Sequence, residues 1–168
     1  MSDGRRQEVA VHVAFPRDES DVRWLTDLWR AEWNGDIMVS KGQVRHLHEL
    51  ESLIAWTGAE RVGAVTFIID SSGCELMSIN ALTEAKGVGT KLLETVEDHA
   101  RRAGCERVWL ITSNDNVAAL RFYQRRGYRM VAVHVGGVDV ARKTKPFIPL
   151  TGCHGIEIHD EVELEKRL

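Results

Sequence analysis

Two helix starts set on either side of one apolar strand constrain this chain more than any other feature in it. The first is Glu84-Ala-Lys-Gly-Val-Gly-Thr-Lys-Leu-Leu, ending at Leu93, and the second is Asn116-Val-Ala-Ala-Leu-Arg-Phe-Tyr-Gln-Arg-Arg-Gly-Tyr, ending at Tyr128. Between them, Arg107-Val-Trp-Leu-Ile-Thr-Ser113 is β-branched and apolar, the pattern of a buried strand. Gly87 and Gly89 have no Cβ, so the backbone there takes tight turns and admits a ligand closely. A helical pattern follows, with Val88, Leu92, Val96, Ala100 and Ala103 on one stripe and Gly104 as the stop. The unpaired amides of that first turn and the positive end of the helix dipole favour an anion over Gly87, Val88, Gly89 and Thr90, with Lys86 and Lys91 adding charge.

Two familiar phosphate loops are excluded. No G-x-x-x-x-G-K-[ST] string exists in the chain, and the G-x-G-x-x-G pattern fails because Leu92 stands where its third glycine belongs. A nucleotide-phosphate module is therefore the weakest reading of the glycine pair.

The second helix start gives the pair its meaning. Asn116, Ala119, Phe122, Tyr123, Gly127 and Tyr128 keep the spacing N-x-x-A-x-x-F-Y-x-x-x-G-[FY]. With Gly87-Val-Gly89 closing the motif [QR]-x-x-G-x-[GA], this stretch resembles the GNAT superfamily of acyl-CoA-dependent N-acyltransferases. The chain departs from that motif at Glu84, where the family prefers Gln or Arg. The resemblance implies a mixed, largely antiparallel sheet of six to seven strands flanked by helices, in the α/β (α+β) class. It implies acetyl-CoA as acyl donor, with pyrophosphate on the amides around Gly87 and Gly89 and pantetheine along Ile79, Asn80 and Ala81. Asn116 and Tyr123 belong to the same cofactor set. It also puts Tyr123 at the family's general-acid position, where a phenol protonates the departing thiolate.

The implied activity is transfer of an acetyl group to a primary amine of a small molecule or protein, by direct attack in a ternary complex. The alternative is a catalytically silent CoA-binding sensor or regulatory module. Glu75, on the strand Cys74–Leu82, is the expected general base, with His134 or water as competitors. Asp36, Glu49 and Asp139 are further acidic candidates for holding a cationic acceptor.

Length and charge fit this. The 168 residues form one domain, 1–168, with Met1–Glu8 frayed and the long connection 136–155 a candidate substrate lid. A net charge of −3 argues against nucleic acid as a partner. No run has the apolar length of a signal peptide core or a membrane span, and Cys74, Cys105 and Cys153 are odd in number and widely spaced. A cytoplasmic setting with reduced thiols follows. His46-x-His48 and Cys153-His154…His159 lack the paired spacing of a zinc site, so no metal is expected. Trp24, Trp29 and Trp33 recur at helical spacing as core residues with one outward contact, which leaves a homodimer surface open.

The pattern predicts strands over Val9–Phe15, Ser52–Trp56, Arg61–Asp70, Cys74–Leu82, Arg107–Ser113, Tyr128–Val135 and Ile156–Leu164. Helices are predicted over Asp18–Trp33 and after the two helix starts, a helical turn or two over Val138–Lys143, and a loop with a short helix over Ile37–Leu50. In the last strand, Glu157, His159, Glu161 and Glu163 alternate with Ile158, Val162 and Leu164, which predicts a solvent-edged strand.

Overall fold

The computed structural model describes residues 10–83 and 87–168. The expectation of a frayed N-terminus, and the positions of Glu84 and Lys86, lie outside the described residues. The strands are β1 Val11–Ala14, β2 Ile37–Ser40, β3 Gln43–His46, β4 Glu51–Thr57, β5 Glu60–Asp70, β6 Gly73–Ala81, β7 Arg107–Ser113, β8 Arg129–His134 and β9 Glu161–Arg167. The α-helices are α1 Glu19–Trp33, α2 Val88–Arg102, α3 Val117–Gln124 and α4 Gly137–Arg142. Seven strands form one sheet in the order β1-β4-β5-β6-β7-β9-β8, while β2 and β3 form a separate hairpin. Within the sheet only the β6–β7 pair is parallel, which is the mixed architecture expected from a meander feeding one crossover. None of the described helices is long and apolar enough to cross a membrane.

The helices start and stop where side-chain chemistry dictates. Asp18 caps α1, its Oδ1 accepting from the Ser20 and Asp21 amides at 2.9 and 3.1 Å. Leu25 of α1 is buried with Ile54, Trp56 and Ala64 on one face of the sheet, and Trp29 of the same helix is buried as well. The predicted stripe of α2 holds through Ala100: Val88, Leu92, Val96 and Ala100 are buried on the opposite face, with Val65, Phe67, Leu76, Val108 and Leu110, while Ala103 stands just past the helix end and is exposed. Tyr123 of α3 joins this second core.

Two expectations are corrected. Ile37–Leu50 is a hairpin, not a loop with a helix; only Leu47–Glu49 makes a 3₁₀ turn. Its two-residue turn places Lys41 at φ 50° and Gly42 at φ 75°, the left-handed pair that a tight hairpin demands. The last strand is also displaced and re-sited. β9 runs from Glu161 to Arg167 and lies between β7 and β8, so it is an interior strand rather than a solvent edge. Glu161 and Glu163, read as solvent-facing, are consequently buried.

A bulge in β6 sets up the functional region. Thr66 pairs with Ser78 and Phe67 with Leu76, leaving Met77 without a partner on β5. Glu75 and Ser78, three residues apart, therefore turn to the same face. Ser78 accepts from the Trp29 indole at 3.2 Å, and Glu75 accepts from Ser40 of the hairpin.

Candidate functional site

β6 and β7 stay together for only three pairs, Cys74–Val108, Glu75–Trp109 and Leu76–Leu110. Beyond Leu76 the strands splay, and a cavity of about 340 Å³ occupies the gap. Met77, Ser78, Ile79 and Ala81 form one wall, Ile111 and Thr112 the other. Gly89 at the start of α2 and Asn116, Phe122 and Tyr123 from the α3 segment complete it.

The two helix starts meet here. Gly87 caps α2 in the left-handed region at φ 66°, a conformation glycine takes at no steric cost. A Cβ on Gly89 would stand 3.3 Å from the Phe122 ring, so this glycine lets α3 pack over the first turn of α2. Thr90 accepts from Arg126 Nη2 and Nε at 2.6 and 3.0 Å, while the guanidinium lies 3.7 Å over the Phe122 ring. Asn116 caps α3, its Oδ1 accepting from the Ala119 amide at 3.1 Å. Val88 is buried in the core, so only its backbone is available to a ligand.

Tyr123 lies on the wall of this cavity with its ring edge-to-face against Phe122 and Tyr128. Among the described residues its hydroxyl has no hydrogen-bond partner. Burial pushes the phenol's pKa above its ordinary value, so the protonated form, already the neutral-pH form of a tyrosine, is favoured further. Ile79, Ala81, Gly89, Asn116 and Tyr123, named from the sequence, are thus brought to one cavity, and Asn80 lies on the same strand, paired with Ala64.

Glu75 is not brought there. It lies in the closed half of the β6–β7 pair, 3% exposed, accepting from Ser40 and 3.8 Å from Arg45. Burial raises its pKa, against the Ser40 bond and Arg45. His134 on β8 pairs with Glu163 at 2.8 Å. Burial opposes ionisation of Glu163, but His134 and Lys41 outweigh it and hold the pKa below the ordinary value. Asp36 is bound to Arg30, Glu49 caps the His46 amide, and Asp139 pairs with Arg142.

A second cavity of about 340 Å³ opens on the α1 and hairpin face. It shares Trp33, Met77, Ile111, Thr112 and Asn116 with the first, so the two meet through the splayed gap. Met38 and Val39 of β2 line it, as do Val138, Lys145, Phe147, Ile148 and Pro149 from the connection after β8. Asp115 and Glu161 are buried carboxylates on its wall, and burial raises the pKa of Glu161. Lys145 donates to the Trp33 and Ile37 carbonyls at 2.8 and 3.0 Å, and burial lowers its pKa. Neither Glu161 nor Lys145 was singled out from the sequence: alternation gives the face of a strand but not its position in a sheet. A larger cavity, about 580 Å³ between α1 and the segment Leu47–Ser52, shares no residue with these two. Size does not select the site; the convergence of polar groups does. Among the described residues no cluster of His, Cys, Asp and Glu is arranged to hold a metal ion.

Comparison with known proteins is consistent with this geometry. The model of the acetyltransferase (GNAT) family matches residues 17–128. The uncharacterised protein YdhI of Bacillus subtilis is 39% identical over 155 residues, which is 92% of this chain and 97% of that one. Among solved structures, a Bacillus subtilis acetyltransferase in complex with CoA is similar with a TM-score of 0.70 at 18% identity, covering 95% of this chain and 99% of that one. A GNAT acetyltransferase of Elizabethkingia anophelis with acetyl-CoA bound has a TM-score of 0.66 at 19% identity, covering 95% and 97%. At such identities the likeness is one of fold.

Proposed function

The chain belongs to the GNAT acetyltransferase family, and on that premise we propose that it moves an acetyl group from acetyl-CoA to a primary amine by direct attack in a ternary complex. The observation that carries this reading is that the cavity between the α2 N-terminus and the β6–β7 splay adjoins the second cavity, the two sharing Trp33, Met77, Ile111, Thr112 and Asn116.

The residues present fit the donor. The first-turn amides of α2 have no acceptor within the helix, so Val88, Gly89 and Thr90 suit a pyrophosphate. The edge of β6 at Ile79, Asn80 and Ala81 is released from β7 and suits an amide-bearing arm that lies as an added strand. Acetyl-CoA, when bound, supplies the activated thioester. Tyr123 is protonated at neutral pH as any ordinary phenol is, burial favours that state further, and it holds its proton on the wall of the donor cavity for the departing thiolate. Trp33, Met77, Ile111 and Thr112 wall the junction where the two cavities adjoin. The connection 136–155 contributes Val138 and the Phe147–Pro149 segment to the second cavity and acts as its cover.

Thermal shift and turnover with a free-thiol readout test the reading. Acetyl-CoA and CoA raise the melting temperature and ATP does not; thiol release from acetyl-CoA requires an added amine. Gly89→Glu puts a bulky anion against Phe122 and the first turn of α2, and CoA affinity falls at least ~10-fold, about 1.4 kcal/mol. Unchanged CoA affinity in that variant removes the phosphate assignment.

A further inference from the structure

The second cavity contains carboxylates in three different situations. Glu32 is exposed at its rim. Asp115 is buried but spent: its Oδ1 accepts from Ser113 at 2.5 Å and its Oδ2 from the Cys153 amide at 3.0 Å. Glu161, 4% exposed, accepts one long bond at Oε2, from the Lys41 amide at 3.2 Å. Among the described residues nothing donates to its Oε1.

The backbone is shaped around this side chain. A Cβ on Gly137, the first residue of α4, would stand 2.8 Å from Glu161 Cγ and 3.0 Å from its Cδ. Only a glycine lets α4 close on the carboxylate this tightly. Across the sheet, Glu161 pairs with Ser113 of β7 and His134 of β8, at the open end of the splay rather than the closed end where Glu75 lies.

Buried carboxylates are paired or carry a cost. The charged groups around Glu161 do not discharge it. Lys41 of the hairpin turn gives its amide to Glu161, but its ammonium goes to Glu163 at 3.2 Å and lies over the Trp109 ring at 5.0 Å. His134 binds Glu163 as well. Lys145, in the same cavity, is committed to the Trp33 and Ile37 carbonyls. The rest of the lining is mostly apolar, with Met38, Val39, Val138, Phe147, Ile148 and Ile158, and the polar side chains of Asn34, Thr112, Ser113 and Asn116 carry no charge.

We infer that Glu161 receives the ammonium group of the acceptor and takes its first proton, and that the acceptor is a small primary amine carried on an apolar body. The inference rests on the acetyl-transfer reading and names its acceptor side. The volume, about 340 Å³, lies at the small end of ligand pockets and suits a small molecule rather than a folded protein surface. The protons balance as follows. The ammonium gives one proton to Glu161, which returns it to solvent, and the freed lone pair forms the C–N bond as the C–S bond breaks. The second nitrogen proton goes to Tyr123 as Tyr123 gives its own to the thiolate. The raised pKa of Glu161 brings it nearer to that of the amine than an ordinary carboxylate.

The test compares wild type, Glu161→Gln and Glu161→Asp with 2-phenylethylamine, n-hexylamine, 2-phenylethanol and a short peptide with a free N-terminus. Binding to the CoA-loaded protein is measured by calorimetry, and turnover by thiol release across pH 5–9. Wild type binds and acetylates the apolar amines in preference to the peptide, and does not bind the alcohol. Glu161→Gln is folded, keeps its CoA affinity, raises the amine KM at least tenfold and loses the acidic limb of kcat/KM; Glu161→Asp regains part of both. If Glu161→Gln abolishes amine binding but wild type acetylates nothing, the ammonium site stands and the transfer reading falls. Wild-type KM and pH profile in Glu161→Gln, or a wild type that binds none of the amines or prefers the peptide, overturns the inference.

Discussion

Arg126, just past the end of α3, reaches back to Thr90 in the first turn of α2 and gives it two hydrogen bonds, at 2.6 and 3.0 Å. The same guanidinium donates to the Phe122 carbonyl at 2.8 Å, so one side chain ties the first turn of α2 to the last turn of α3 beside the first cavity. Arg126→Ala lowers stability by about 1–2 kcal/mol, the scale of lost charged hydrogen bonds at a half-buried site. CoA affinity falls with it, because the first turn of α2 loses its brace. Denaturant melts and calorimetric titration of the folded variant read the two effects separately; unchanged affinity alongside lost stability makes Arg126 a purely structural tie.

Tyr123→Phe keeps the ring contacts with Phe122 and Tyr128 and removes only the hydroxyl, which binds no described residue. Fold and CoA affinity survive, while kcat falls by about 10²- to 10⁴-fold, the range for one lost acid–base group. A wild-type rate in steady-state kinetics means that solvent protonates the thiolate.

Gly137→Ala drives a methyl group into Glu161, since the added carbon meets Cγ at 2.8 Å. The expected outcome is a raised KM for the amine with CoA binding intact, because α4 touches the acceptor cavity and not the α2 turn. Equal weakening of both substrates in kinetics sends the effect to the fold as a whole.

Glu75 carries a pH prediction. Burial raises its folded pKa above the unfolded value, so the native state binds the proton more tightly. Stability therefore falls as pH rises through the window between the two values, and the cost of the buried charge persists above it. Glu75→Gln removes that cost, so the variant melts higher than wild type at pH 7–8, and the difference vanishes below about pH 4. Because Glu75 sits in the closed half of the β6–β7 pair, kcat changes little. A large loss of kcat returns Glu75 to the role of base expected from the sequence.

Local sequence patterns were enough for the secondary-structure elements and for several residues of the first cavity. The α2 stripe of Val88, Leu92, Val96 and Ala100, the Gly87 cap and the Asn116 cap are short-range features, and short-range patterns fix helix faces and helix starts. The family resemblance, carried by residues within one helix and one turn, led to Tyr123, which the fold sets on the cavity wall. The hairpin at Ile37–His46 was illegible because its turn is Lys41-Gly42, and only the backbone shows Lys41 in the left-handed region. The second cavity was set by long-range pairing alone. Alternation in Glu161-Val-Glu-Leu assigns faces, yet it is the same for an edge strand and an interior one. Insertion of β9 between β7 and β8 buries Glu161 and Glu163, and the bulge at Met77 sets the faces of Glu75 and Ser78. These are outcomes of pairing between segments far apart in the chain, which no local pattern records.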